Sequence, residues 1–500
     1  MHTCYHPVVS YAASGRSSYS AVMRYISAPL LALMTLVGWV ATASAQPCQS
    51  GWSALGPGLN SQINAVFAWD SDGAGAGPAV LLAGGIFTGA GTTPTSNIAI
   101  WNGTAWSGLG GGVSGTDSTV YAFATFDDDG SGPNPPSLFV GGRFTLAGTT
   151  AVHNLARWDG SAWQDVGGGT NAIIYAMTVF DDDGPGPNMP ALYIGGEFTL
   201  VGGSVSAARV ASWNGTSWSP LAGGIGGSVP FVSAFAVFDE DGDAPDPPRL
   251  FVAGDYDLAD SITVNNIARW DGATWSPLLN GTSGFIDDLA VFDPDGTGPE
   301  PAALYAVGAY SFAGGVQVSG IGRWNGAFWS SVGGGLNAPA YALEVFDEDG
   351  AGPGLPALFA AGSFSLAGGN SASHVARWDG TTWSPLGSGI SAPVVLDLVT
   401  FDRDGSGAGT APATLICAGV FSSAGGIPAS RIAQWRGCEA GLVTGDIDGD
   451  GDVDLDDLNF FIAVLLGVDS DPLHIAHSDL TGEGLANGAD IQSLVNALLG

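Results

Sequence analysis

The sequence predicts an all-β fold, a seven-bladed β-propeller with four-stranded blades and a ring closed by an N-terminal strand, followed by a small all-α domain. Three observations carry this expectation. Tryptophans recur in pairs five residues apart, four strand-like segments accompany each pair, and the last sixty residues change to helical apolar spacing without a single Lys or Arg.

The pairs are Trp101 and Trp106, Trp158 and Trp163, Trp213 and Trp218, Trp270 and Trp275, Trp324 and Trp329, and Trp378 and Trp383. Asn-Gly or Asp-Gly follows the first tryptophan in each, so each pair reads as a tight hairpin in which Gly takes positive φ and Asn or Asp tolerates it. A seventh pair is divided between the ends of the repeat region, Trp435-Arg436-Gly437-Cys438 and Cys48-Gln49-Ser50-Gly51-Trp52. The two ends are therefore expected to meet inside one hairpin. Successive second tryptophans, from Trp52 to Trp383, stand 54 to 57 residues apart. In the second full unit the strand-like segments are Val120 to Phe126, Ser137 to Phe144, Asn154 to Trp158 and Ala162 to Val166. One small sheet cannot bury both faces, so four-strand units of this period stack on their neighbours. Seven of them close a ring over residues 46–440, the last blade taking its outermost strand from Trp52 to Leu55.

Composition agrees. Charged residues make up 12% of the chain, against 79 Gly and 29 Pro, which suits short strands and tight turns. Recurrent tryptophans and apolar runs argue against disorder. All twelve basic residues are arginine and face 47 acids; without residues 1–45, which hold Arg16 and Arg24 and no acid, the balance is 10 minus 47, or −37. Such a chain repels nucleic acid and anionic membranes and attracts divalent cations.

Residues 28–42 are an apolar run ending in Ala43-Ser44-Ala45, a small-x-small cleavage pattern. The run is too short to span a bilayer and no later segment is longer, so it reads as an export signal over residues 1–45, with Met23 as an alternative start. Export places the chain outside the cell, on its surface or in the periplasm, and permits disulfides. Cys4 leaves with the signal, Cys417 lies in an apolar strand and reads as a small buried hydrophobe, and the repeat alignment brings Cys48 and Cys438 to one turn, predicting a disulfide clasp.

The units resemble kelch repeats. An apolar strand ends in a Gly pair, as in Leu138-Phe139-Val140-Gly141-Gly142, and the spaced aromatics Trp158 and Trp163 follow. The resemblance covers residues 48–438; it implies the propeller fold and no particular activity.

Each unit carries an acidic insertion after its first strand: Asp70-Ser71-Asp72-Gly73, Asp127-Asp128-Asp129-Gly130, Asp181-Asp182-Asp183-Gly184, Asp239-Glu240-Asp241-Gly242, Asp293-Pro294-Asp295-Gly296, Asp347-Glu348-Asp349-Gly350 and Asp402-Arg403-Asp404-Gly405. These loops share one face. Two readings stand: the Asp side chains cap their own turns, or alternate Asp before Gly cradles calcium.

Residues 441–500 are a separate domain. Asp446, Asp448 and Asp450 hold the first ligand positions of a twelve-residue EF-hand-type calcium loop. Gly451 turns it, Asp452 offers its carbonyl, Asp454 acts through water and Asp457 closes it. A looser second loop has Asp479, Thr481, Glu483, the Leu485 carbonyl, Asn487 and Asp490. Leu458, Phe461, Ile462 and Leu465 after the first loop, and Ile491, Leu494, Val495 and Leu498 after the second, keep helical spacing. Two loops closed by Asp, each followed by a single helix, are similar to a type I dockerin. That resemblance implies docking onto a cohesin-type receptor through Ser or Thr at loop positions ten and eleven; here those positions are Leu455, Asp456, Gly488 and Ala489, which points to a different receptor or to a calcium-stapled knob.

No catalytic constellation is assigned. His153 and His374 precede strands in two blades, and His474 and His477 lie between the calcium loops; all four read as surface or turn residues. A copper site like that of kelch-type oxidases finds no match. The Asp-Gly-x-x-Trp hairpin is one residue shorter than the Asp box of sialidases, and Arg157, Arg269, Arg323 and Arg377 share one framework position. The sequence thus predicts a binding or scaffold protein whose propeller takes polysaccharide or a surface protein, with specificity in the variable stretches Thr145 to His153, Thr199 to Ala208 and Asp257 to Asn265, and whose calcium module tethers it to an extracellular assembly. The alternative is an extracellular carbohydrate-active enzyme.

Overall fold

The computed structural model describes residues 50–437, apart from 72–77, 129–134, 185, 187–188, 241, 243–246, 297, 299, 349, 351–353 and 404–412 in the acidic loops, and residues 455–465, 478, 491, 493 and 494 beyond them. The signal segment, Cys48, Cys438 and the calcium ligands Asp446, Asp448, Asp450, Asp452, Asp454, Asp479, Thr481, Glu483, Leu485, Asn487 and Asp490 lie outside the described residues. The chain divides into two compact units, one spanning Cys48–Leu442 and another to which Val443–Gly500 belongs.

The larger unit is all-β and propeller-like: seven antiparallel sheets, each of four strands, here lettered a to d in spatial order. Sheet 2 shows the pattern with Thr119–Phe126, Ser137–Arg143, Leu155–Trp158 and Trp163–Asp165, within a residue of the boundaries expected. The a strands are Ile63–Trp69, Thr119–Phe126, Ile174–Phe180, Phe231–Phe238, Ile286–Phe292, Ala340–Phe346 and Val394–Phe401. Each packs on the a strand of the next sheet, and Val394–Phe401 packs back on Ile63–Trp69. Seven apolar clusters fill the seven gaps; one joins Leu55, Val66 and Trp106 to Phe401, Ile416 and Ile432 across the ends of the repeat region. Sheet 7 is composite. Its d strand is Gly51–Ala54, paired with Ile432–Arg436 so that Trp52 stands opposite Trp435, ring centroids 5.2 Å apart.

The tryptophan pairs do more than mark hairpins. Within a pair the rings tilt against each other at 5.0 to 5.5 Å. The second indole N–H of every pair then donates to a carbonyl just past strand d of the preceding sheet. Trp106 bonds Leu55 (3.0 Å), Trp163 Gly110 (3.0 Å), Trp218 Gly167 (3.2 Å), Trp275 Leu221 (3.2 Å), Trp329 Leu278 (3.3 Å), Trp383 Val332 (3.1 Å) and Trp52 Leu386 (3.0 Å). Seven bonds thus run once around the unit. The hairpin turn itself corrects one expectation: Gly takes the positive φ (Gly160, 92°), while Asn and Asp keep negative φ and act as caps. Asp159 accepts from the backbone N–H of Ser161 (2.9 Å) and Ala162 (2.8 Å). Those bonds, Ala162 first, hold its carboxyl below the usual range.

The smaller unit contributes helix α1, Leu455–Leu465, which contains Asp457. Phe461 and Leu494 are buried together, with Leu458, Leu465 and Ile491 against them. Five of the eight apolar positions expected to line two helices therefore meet. Among the described residues no helix is long and apolar enough to cross a membrane.

Candidate binding site: the central cavity and its rim

Every a strand carries a β-bulge near its start, at one place in the repeat. The pairing of strands a and b skips one residue in each sheet: Asn64, Tyr121, Tyr175, Ser233, Asp287, Tyr341 and Leu396. The cause is legible in strand b. A Cβ on Gly85, Gly142, Gly196, Gly254, Gly308, Gly362 or Gly419 would sit 2.0 to 2.5 Å from a carbonyl oxygen of strand a or of the residue before it. Only glycine admits the bulged backbone so close. This position, the second of the Gly pair in sheets 1 to 3, is thus a seat for the bulge.

A bulge re-aims its side chain. All seven bulged residues line one central cavity of about 500 Å³. The framework around them repeats, yet here the sheets present Asn, Tyr, Tyr, Ser, Asp, Tyr and Leu in turn. The near-identity of the repeats therefore does not extend to the axis, which is chemically asymmetric.

The same strands are stitched to one another around that axis. Asn64 Nδ2 donates to the Val120 carbonyl (3.2 Å), Tyr175 sits edge-on between Tyr121 (5.0 Å) and Phe231 (5.8 Å), and Ser233 Oγ donates to the Ile286 carbonyl (2.6 Å). Three carboxylates complete the circuit by accepting backbone N–H groups of the next sheet: Asp288 from Leu343 (2.8 Å), Glu344 from Thr400 (2.7 Å) and Asp397 from Val66 (2.7 Å). Enclosure dominates their electrostatics. Burial, reinforced by the Asp288 charge, pushes the Asp287 carboxyl up to about 7, and burial likewise raises Asp288 to about 7 against the bonds from Leu343 and Leu289. Glu344 and Asp397 are raised for the same reason, Asp397 further by Asp288. Asp287 Oδ2 is buried and has no hydrogen-bond partner.

The outer rim at the bulge end is formed by the connections between strands b and c, the variable stretches picked out in the sequence, which lie against strand d. Each folds into a two-stranded ribbon, such as Leu146–Ala147 with Thr150–Ala151. The second residue of the first ribbon strand is buried in every sheet (Ala90, Ala147, Val201, Ala259, Ala313, Ala367, Ala424), so its neighbour is turned outward. The result is a rim of exposed Leu146, Leu258, Phe312 and Leu366, joined by Ile262, Val316 and Ile427 from the second ribbon strand.

The opposite, acidic end is largely structural. The second residue of six acidic loops lies against the hairpin glycine of the following sheet: Asp128 on Gly215, Asp182 on Gly272, Glu240 on Gly326, Pro294 on Gly380, Glu348 on Gly437 and Arg403 on Gly103. The repeated arginines hold the acids in place, Arg157 with Asp128, Arg269 with Glu240, and Arg377 with Glu348 (2.6 Å). Trp324 and Trp435 donate to Glu240 and Glu348 across the gap between sheets, both at 2.7 Å. Turn capping is seen as well, with Asp183 N–H on Asp181 (3.3 Å) and Asp295 N–H on Asp293 (3.2 Å). Among the described residues Asp181, Asp182 and Asp183 are the carboxylates close enough to share one cation. His374 fills a framework place: like Asn97, Asn154 and Asn266 it has positive φ, and its Nδ1 lies 2.9 Å from the Ile390 carbonyl. Cys417 is buried and free, as expected.

Comparison with known proteins gives a limited likeness. No family model and no curated protein matches the chain. Among solved structures it is similar to BBS1N in complex with ARL6DN (13% identity, 77% of this chain and 97% of that one, TM-score 0.41) and to Saccharomyces cerevisiae Sqt1 (11% identity, 79% and 100%, TM-score 0.43). It is also similar to an ancestral GH74 enzyme (15% identity, 78% and 63%, TM-score 0.24).

Proposed function

We propose that this chain is an exported, non-catalytic binding protein: a closed, seven-bladed, kelch-like propeller that takes a surface protein or a polysaccharide at its bulge end, with residues 441–500 as a dockerin-like calcium module that tethers it to an extracellular assembly. The observation that carries the reading is the rim. Exposed aliphatic side chains recur at equivalent ribbon positions at the same end of the sheets as the bulged residues, which line a cavity that differs from sheet to sheet; this is the pattern of a recognition surface. Because the rim is aliphatic and has one exposed aromatic, Phe312, a protein partner fits it better than a glycan, whose rings stack on aromatic faces. Carboxyls held partly protonated near neutral pH favour the second reading, an extracellular carbohydrate-active enzyme with a general acid in the cavity.

The test is a depletion assay of the full chain on a panel of insoluble and soluble polysaccharides and of immobilised cell-surface proteins, with calcium and with chelator, scoring both bound protein and released sugar. Binding without release, abolished by Leu258→Glu with Phe312→Glu, is the expected result. Released sugar would replace this reading with the enzyme. Binding that survives the double substitution would move the site off the rim.

A further inference from the structure

The cavity's chemistry narrows what enters it. Asp287, Asp288 and Asp397 line it together with Tyr121, Tyr175, Tyr341, Phe231 and Phe235, and no arginine lines it. A buried carboxylate is normally paired. Here Asp288 and Asp397 are met by backbone N–H groups that hold them in place without cancelling their charge, and Asp287 Oδ2 has no partner at all. A small metal ion does not suit the arrangement, because the cavity carboxylates are not among those that converge closely enough to share one ion. Aromatic faces next to an unmatched carboxylate suit a larger, softer cation.

We propose that the central cavity is a receptor for an organic cation, an alkylammonium or guanidinium group entering from the bulge end, which pairs with Asp287 and lies against the cavity tyrosines. This rests on the reading of the ring as a binder and names its ligand chemistry. Such a group is carried either by a free amine or by a basic side chain of a polypeptide docked on the apolar rim. The charge of −35 on the whole chain draws cations towards it, while the carboxyl cluster supplies the local selectivity. The titratable groups that line the cavity with Asp287 are Asp288 on its own strand, Tyr341 from sheet 6, Asp397 from sheet 7, and Tyr121 and Tyr175 from sheets 2 and 3; Glu344 acts on Asp288 and Asp397, and Arg143 and Glu197 lie near those two tyrosines. A bound cation favours the ionised forms of Asp287 and Asp288, so binding releases protons and strengthens as pH rises.

The experiment is calorimetric titration of the full chain, at physiological salt, with agmatine, with a blocked arginine-containing tripeptide, and with cellobiose as a neutral comparison. Saturable binding of agmatine or the tripeptide is expected, weakened about tenfold by Asp287→Asn and unchanged by Asp165→Asn, an exposed acid on an outer strand. Affinity is also expected to fall several-fold between roughly pH 8 and pH 5.5. Asp287→Asn removes a buried charge that has no partner, so the variant should fold at least as well as the parent, which a thermal melt checks. Binding of the tripeptide alone assigns the cation to a polypeptide, whereas equal binding of both shows that the cationic group suffices. Absence of saturable binding by both cations, equal affinity in Asp287→Asn, or preference for cellobiose would overturn the proposal. Rim-dependent capture in the depletion assay would leave the binding reading standing in each of those cases.

Discussion

Gly196→Ala isolates the structural device on which the cavity depends. Gly196 ends strand b of sheet 3 with an ordinary φ, so alanine there carries no conformational penalty and lowers the entropy of the unfolded chain. Its Cβ, however, would lie 2.0 Å from the Ile173 carbonyl oxygen and 3.0 Å from both the Ile173 carbonyl carbon and the Ile174 Cα. Those are backbone atoms that lead into the bulge at Tyr175, so relief requires strand a to move by about 1 Å. Overpacking of this kind costs about 2 to 3 kcal/mol. With a urea m-value of ~3 kcal/mol/M for a unit this large, the midpoint should fall by about 0.7 to 1 M. Tryptophan fluorescence is a clean reporter, because residues 441–500 hold no tryptophan and fourteen of the sixteen in the chain form the seven pairs. Gly51→Ala, whose Cβ would meet nothing within 4 Å, serves as the control and should leave the midpoint unchanged. If Gly196→Ala is as silent as Gly51→Ala, the glycine is no seat for the bulge and the explanation of the strand-b glycines fails.

Other expectations follow from the same geometry. Trp275→Phe trims the indole to a phenyl ring and removes its bond to the Leu221 carbonyl, which keeps the one from Gly224 N–H (2.9 Å), and should cost about 1 kcal/mol in urea unfolding, against about 3 to 5 for Trp275→Ala. Asp287 and Asp288 have folded-state values raised to about 7, above those of an unfolded chain. Their contribution to stability is therefore complete below roughly pH 4 and is lost as pH rises through about 7; Asp287→Asn should reduce that loss in melts taken between these limits. A non-reducing peptide map should show Cys48 joined to Cys438, and reduction of this bond should cost about 4 to 5 kcal/mol in the chain-entropy model. Calcium titration of the full chain should show a tight site that Asp446→Ala with Asp448→Ala removes, with a matching loss of helical signal.

Much of the fold was legible because it is repeated. Six tryptophan pairs fix six hairpins, and the divided pair, Trp52 and Trp435, points to the composite sheet. The cavity was not legible, for a physical reason. A bulge is a relation between two strands, and the sequence displays only one side of it, the glycine at positions such as 142 and 196; the residue opposite, Tyr121 or Tyr175, carries no local mark. Ribbons two residues long fall below the reach of hydrophobic periodicity, although the outward Leu and buried Ala of Leu146-Ala147, Leu258-Ala259 and Leu366-Ala367 recur at the repeat period and were there to be found. The acidic loops stand out by charge, yet three of their acids, Asp128, Glu240 and Glu348, are held by the framework arginines, whose repetition was itself the clue. Asp288, Glu344 and Asp397 were missed because a carboxylate inside an apolar strand looks like an exception until its N–H partner in the next sheet is known.

The central claim is that the two ends of the repeat region complete one sheet, so that the cavity and its rim are enclosed by seven sheets. Amide hydrogen exchange on the full chain, read along Gly51–Ala54, tests it most directly. Protection at the alternate amides of this outermost strand that face Ile432–Arg436 is the predicted result. Exchange of every Gly51–Ala54 amide at the rate of an unpaired strand, with the Ile432–Arg436 amides that face Thr414–Val420 still protected, would show that the seventh sheet lacks its outer strand and that the ring is not closed as described.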